Sequence, residues 1–213
     1  MAGCCNPRGC DRMFGARFAK RMASGYRKRG LGKTAEKIVE MVAQGGVQGA
    51  TVLEIGGGVG EIQLELLRRG AASATNLELS PGYESEAAAL IEVAGVSDRV
   101  QRRLVDIAMD PAAVEPADIV VLHRVVCCYP DVAKLLGAAA DHARSQLVFS
   151  HPPRNAVSRA VVATQNLLFR AVGRDFRTFA HSPDAMLAVL AENGLQMRAA
   201  RSGRVWQVAA VSR

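Results

Sequence analysis

The 213-residue sequence predicts an α/β protein: a seven-stranded, mostly parallel sheet with helices on both faces, one antiparallel strand near its C-terminus, and a helical lid at its N-terminus. Three observations predict it. From Thr51 onward, short β-branched runs alternate with segments of helical periodicity, as parallel strands joined by crossover helices require. The first strand runs into a glycine-rich turn, Gly56-Gly57-Gly58-Val59-Gly60, that opens a helix. The last two strands are separated only by residues 201–204, with Gly203 inside, which suits a hairpin and makes one of the two antiparallel.

In chain order, the first element is set by charge. The net charge is +7, but residues 1–33 hold nine Lys/Arg against Asp11 alone, which is +8; the 18 basic and 19 acidic residues beyond sum to −1. Within that segment Phe14, Phe18, Met22 and Tyr26 recur every fourth residue, with Arg12, Arg17, Lys20, Arg21, Arg27 and Lys28 between them. This is the pattern of an amphipathic basic helix, with Asp11 as its N-cap and Gly30-Leu31-Gly32 as its stop. Its apolar stripe either docks on the main domain or serves a membrane-surface helix or a nucleic-acid arm. Residues 1–33 are therefore read as a basic lid and 34–213 as the main domain, which opens with a helix near 34–43.

Strands are expected over 51–55, 74–79, 100–105, 119–122, 146–150, 195–200 and 205–211, and helices over 61–69, 84–93 and 132–142. Residues 152–193 form an insertion of two helices, 154–169 and 183–193, joined by a basic loop with Arg170, Arg174 and Arg177. No stretch approaches the roughly 20 apolar residues that span a bilayer. The chain's start lacks the apolar core of a signal peptide, so the expected compartment is the cytoplasm. Composition, 49% hydrophobic and 22% charged, excludes collagen-like, disordered and disulfide-scaffold classes. Cys4, Cys5, Cys10, Cys127 and Cys128 are expected to be reduced. Were the N-terminal segment to fold over the end of strand four, the two clusters could meet in a thiolate metal site or a disulfide. Neither cluster has C-x-x-C spacing, and no metal is expected.

The sharpest signal is the run Val52-Leu53-Glu54-Ile55-Gly56-Gly57-Gly58-Val59-Gly60. Glycines let a bulky ligand approach the backbone and let the turn visit angles a side chain forbids. Glu78, at the end of the next strand, can accept hydrogen bonds from both hydroxyls of a ribose. A dinucleotide site wants G-x-G-x-x-G, and its third glycine would fall on Glu61, whose carboxylate repels a pyrophosphate. S-adenosylmethionine (SAM) carries no phosphate and suits the spacing of Glu54, Gly56, Gly58 and Gly60. The pattern favours SAM.

On these residues the chain resembles the class I SAM-dependent methyltransferases, a Rossmann-like fold, from about Lys33 onward. The resemblance implies that Glu54, Gly56, Gly57, Gly58 and Gly60 form the cofactor loop. It implies that Glu78 with Leu79 holds the ribose, and that Asp106 with Ile107 holds the adenine end. Asp118 matches the start of strand four. The turns after strands four and five, His123-Arg124-Val125-Val126-Cys127-Cys128-Tyr129-Pro130-Asp131 and His151-Pro152-Pro153-Arg154, are similar in layout to magnesium-protoporphyrin O-methyltransferases, as is Gly9-Cys10-Asp11-Arg12. That likeness implies a carboxylate acceptor under an N-terminal helical lid.

The acceptor belongs outside the C-terminal ends of strands four and five. His123 is either a proton acceptor for an attacking hydroxyl or amine, or a structural histidine under the nucleoside. Tyr26 and Tyr129 are further catalytic candidates. Phe18, Arg124 and Arg154 are candidate substrate contacts, the arginines through bidentate bonds to a carboxylate. The expected activity is methyl transfer from SAM to a small acceptor, an anionic or aromatic oxygen nucleophile. Two rivals remain: an RNA methyltransferase using the basic segment, disfavoured because strand four lacks an Asn/Asp-Pro-Pro-Tyr ending, and a non-catalytic SAM-binding protein attached to anionic membranes.

Overall fold

The computed structural model describes residue 9 and residues 13–203 and 205–213. Seven strands form one sheet: β1 (Thr51–Ile55), β2 (Ser73–Glu78), β3 (Val100–Leu104), β4 (Ala117–Leu122), β5 (Ala143–His151), β6 (Gln196–Arg201) and β7 (Gln207–Ser212). Their order is β3-β2-β1-β4-β5-β7-β6. β1 to β5 are parallel, and β7 runs antiparallel between β5 and β6. β7 starts two residues later than the sequence suggests, because Val205 and Trp206 belong to the turn. β5 starts three residues earlier, at Ala143, which pairs with Ala117 of β4.

Successive side chains of a strand point to opposite faces, and the helices bury both. On one face Val52, Val121 and Val148 pack with α2 (Lys33–Gln44), through Ile38 and Val42, and with α3 (Glu61–Arg68), through Ile62 and Leu66. α4 (Glu84–Val93) adds Leu90 and Ile91. On the other face Leu53, Val120, Leu147 and Phe149 pack with Leu135 and Leu136 of α5 (Val132–Asp141). The insertion supplies the remaining helices, α6 (Ala156–Ala171) and α7 (Pro183–Glu192), and Met186 and Leu190 of α7 join the second core. Arg170, expected in the loop, lies in the last turn of α6.

The N-terminal helix, α1 (Ala16–Arg29), starts later than predicted and has Gly15 at its N-cap; Asp11, the expected cap, lies outside the described residues. Its deepest residues are Ala19 and Ala23, with Phe14, Met22 and Tyr26 partly buried around them, rather than the expected large-residue stripe. Small residues let the backbone come close: a Cβ on Gly82 would lie 2.8 Å from the Cα of Gly15. Arg27 pairs with Glu86 of α4 at 3.1 Å. Among the described residues no helix is long and apolar enough to cross a membrane.

Candidate active site

The chain passes from β1 to β2 on one side and from β4 to β5 on the other, so the C-terminal ends of β1 and β4 diverge into a crevice. A cleft of about 950 Å³, partly continuous with solvent, occupies that crevice. It is lined by the glycine loop with Glu54, Glu61, Glu78 and Leu79, by Phe14, Phe18 and Met22 of the N-terminal segment, and by His123, Arg124 and Tyr129 after β4.

Local chemistry explains the glycine-loop wall. Gly56, Gly58 and Gly60 have φ of 64°, 57° and 84°, the left-handed region in which side chains are strained. Gly57 is required by packing, since a Cβ there would lie 2.7 Å from the Cδ of Glu54. Gly60 is also the N-cap of α3 and has no side chain to offer the helix's first amides. Glu54 fills that role from β1, its Oε2 accepting from Gln63 N–H at 3.2 Å. Arg102 of β3 pins the loop from the far side: its Nη2 donates to Gly58 O at 2.9 Å and to Glu84 at 2.8 Å. The ring of Tyr83 packs on Gly58 and meets Phe18 edge to face.

Three carboxyls share this wall, and burial raises the pKa of each: Glu54 to about 8, Glu61 and Glu78 above the ordinary carboxylate range. Glu78 accepts from Leu79 N–H at 2.9 Å. A buried oxygen of Glu61 has no hydrogen-bond partner among the described residues. Among the described residues, Arg124 is the only Lys or Arg side chain lining the cleft. A cationic ligand with hydroxyl groups to donate would satisfy this wall, and SAM is one: its ammonium and sulfonium carry positive charge, and its ribose carries two hydroxyls. Its fit rests on that charge deficit and on the glycine loop, whose Gly56, Gly57 and Gly58 line the cleft.

The residues after β4 are held by Ser150 of β5. Its Oγ lies 3.0 Å from His123 Nδ1 and accepts from Arg124 N–H at 2.9 Å. Arg124 has φ 60°, the one non-glycine residue among those described with positive φ, and its guanidinium lies 5.4 Å over the Trp206 ring. Burial, and then the nearby Arg124 charge, push the His123 pKa down to about 3. Its ring is neutral near pH 7 and is a weak base.

The remaining predicted residues are placed as follows. Asp106 and Ile107 are buried and do not line the cleft; Asp106 reaches it through Tyr129, whose hydroxyl donates to both carboxylate oxygens at 3.1 and 3.0 Å. Tyr26 lies outside the cleft, beside Glu65 and Arg68. Arg154 is exposed at the entry to α6, also outside it. Asp118 sits at the opposite end of the strands, where Thr51 donates to its carboxylate through both N–H and Oγ1 at 2.8 Å. The Sγ atoms of Cys127 and Cys128 lie 3.5 Å apart, and no group of three potential metal ligands exists among the described residues. The N-terminal cysteines lie outside those residues. Sequence reasoning missed Arg102, Ser150, Tyr83 and Trp206. Only Tyr83, after the Ser80-Pro81-Gly82 turn, had a local signal.

Fold and site together define a class I SAM-dependent methyltransferase. Residues 24–200 match the family described as "Methyltransferase domain", and the chain belongs to it. Solved structures with the same fold include magnesium protoporphyrin IX methyltransferase from Synechocystis PCC 6803 with bound SAH, 22% identical over 85% of this chain and 82% of that one, TM-score 0.69. An O-methyltransferase family protein from Burkholderia thailandensis is 18% identical over 96% and 63%, TM-score 0.73. An O-methyltransferase family 2 protein from Planctomyces limnophilus in complex with apigenin is 19% identical over 92% and 61%, TM-score 0.68. No curated protein matches the sequence significantly.

Proposed function

We propose that this methyltransferase acts on a small molecule, delivering the methyl group to an anionic or aromatic oxygen nucleophile, with residues 1–33 as a lid over the acceptor. One observation carries this reading: a single cleft is lined by the acidic glycine-loop wall, by the apolar Phe14, Phe18 and Met22, and by Arg124. The apigenin complex and the protoporphyrin enzyme are similar in fold and handle flat molecules, which agrees with an aromatic wall.

Bound SAM supplies an electrophilic methyl carbon on a sulfonium. The glycine loop with Glu54 and Glu61 and the Glu78 carboxyl are the residues proposed to hold it, with Tyr129 and Asp106 closing the adenine side. Phe14 and Phe18 exclude water from the acceptor, and Arg124 pairs with its negative charge. His123, with a pKa of about 3, cannot draw a proton from a neutral phenol near pH 7, whose pKa is about 10. We therefore assign it a positioning role, with an acceptor that arrives ionised, a carboxylate above all. No role in the cleft is proposed for Tyr26 or Arg154.

The test is transfer of labelled methyl from SAM to aromatic carboxylic acids, phenols and tRNA. Transfer to the carboxylic acids is expected, and Arg124→Ala should raise their KM about tenfold without changing SAM affinity. Transfer to tRNA alone would overturn the proposal.

A further inference from the structure

β7 brings a further element to the cleft. Because it runs antiparallel to β5, with Gln207 opposite His151, the turn before it lies at the end of the sheet where the parallel strands finish. Gly203 lets that turn close, since a Cβ there would run into the Trp206 carbonyl. Lys37 of α2 ties it down, its Nζ donating to Ser202 O at 3.1 Å. Trp206, the chain's only tryptophan, is partly buried in this turn and does not itself line the cleft. The guanidinium of Arg124, which does line the cleft, lies over its ring, 5.4 Å from the centroid.

An exposed arginine samples many rotamers, and a ligand that pairs with it must freeze them. Arg124 is exposed, yet it is confined at both ends before any ligand arrives. Its backbone, at φ 60°, is fixed by Ser150 Oγ, which accepts from its N–H at 2.9 Å. Its guanidinium lies within the roughly 6 Å over which a ring face attracts a cation. Among the described residues that guanidinium makes no ion pair, so its forked N–H donors remain for a carboxylate. Its charge reaches the cleft: burial raises the Glu61 pKa and Arg124 opposes that rise, while Arg124 adds to the lowering that burial gives His123.

We propose that Trp206 is a positioning residue for the acceptor: its ring holds the Arg124 guanidinium at the cleft and thereby sets the preference for a negatively charged acceptor. This rests on Arg124 pairing with the acceptor's charge, as proposed above. Leucine at position 206 leaves Arg124 its charge but lets the side chain swing into solvent. Binding of the anion then suffers, while the methyl-transfer step, aligned by the rest of the cleft, does not. A cation–π contact at an exposed site corresponds to about two- to fivefold in binding.

The test is a double-mutant cycle in the full chain, read on methyl transfer to aromatic carboxylic acids. Trp206→Leu should raise their KM about two- to fivefold at unchanged kcat, whereas Trp206→Phe, which keeps a ring, should stay near wild type. In an Arg124→Ala protein, Trp206→Leu should have no further effect, because Trp206 acts through Arg124. Unchanged thermal melts and SAM affinity show that the variants are folded. Since Trp206 is the chain's only tryptophan, its fluorescence reads the contact without any acceptor, and Arg124→Ala should change the emission. Three outcomes would overturn this proposal alone: a wild-type KM in Trp206→Leu, the same loss from Trp206→Leu with and without Arg124, or emission indifferent to Arg124→Ala. No transfer to carboxylic acids, or a KM that Arg124→Ala does not raise, would overturn it together with the anionic acceptor.

Discussion

Glu54 is a carboxyl group that folding strips of water and gives one hydrogen bond, from Gln63 N–H. Burial, with the neighbouring Glu61 second, raises its pKa from 4.5 to about 8. A raised folded-state value means that Glu54's contribution to stability is complete below the unfolded pKa and is lost as pH rises through about 8. The loss is on the order of a few kcal/mol. Glu54→Gln keeps the acceptor for Gln63 and removes the titration. Its melting temperature should match wild type near pH 5 and exceed it increasingly toward pH 9; parallel curves over that range would refute the assignment. His123 behaves in the opposite sense. Its lowered value means that its contribution is present above the unfolded pKa near 6.5 and is lost as pH falls toward about 3. In an NMR titration its ring signals should stay those of the neutral imidazole at pH 5, and a midpoint near 6.5 would restore it as a proton acceptor.

At the scale of elements, the glycine loop joins β1 to α3 but depends on β3, two strands away in the sheet. Arg102 holds Gly58 O and Glu84 together while its own side chain is only 9% exposed. Arg102→Met should cost about 2 kcal/mol in urea unfolding, less than a fully buried pair because Glu84 stays partly in water, and should weaken SAM binding at least about tenfold by calorimetry. Unchanged affinity would mean that the loop holds its shape without β3. This dependence also marks the limit of what the sequence reveals. The loop itself was legible, because left-handed turns demand glycine at fixed spacing, and so was α4, whose bounds match the prediction. Arg102 was not, because a mid-strand arginine looks the same whether it faces solvent or reaches over to a neighbouring loop. Ser150 and Trp206 were hidden likewise: their partners, His123 and Arg124, lie far away in sequence. α1 is legible as a helix but its buried line is not, since periodicity weights large residues while close backbone approach selects Ala19 and Ala23.

At the scale of the whole molecule, charge is unevenly distributed. Along the sequence the excess positive charge is concentrated in residues 1–33, while the cleft gathers Glu54, Glu61 and Glu78. The proposed transfer brings a cationic donor to an anionic acceptor, and the cleft carboxyls carry the sign that would hold the donor. These carboxyls also tie cofactor binding to protons. Burial raises all three carboxyl pKa values, that of Glu54 to about 8, so Glu54 is partly protonated near neutrality. A cation entering the cleft favours the ionised carboxylates and lowers those values, so binding must release protons. SAM affinity should therefore rise between about pH 6 and pH 9, by up to about tenfold per pH unit for each proton released. Calorimetry in two buffers of different ionisation enthalpy measures that release directly, and Glu54→Gln should diminish it while leaving the site formed. An affinity flat with pH, with no proton release, would show that the acidic wall does not face the cofactor's charge.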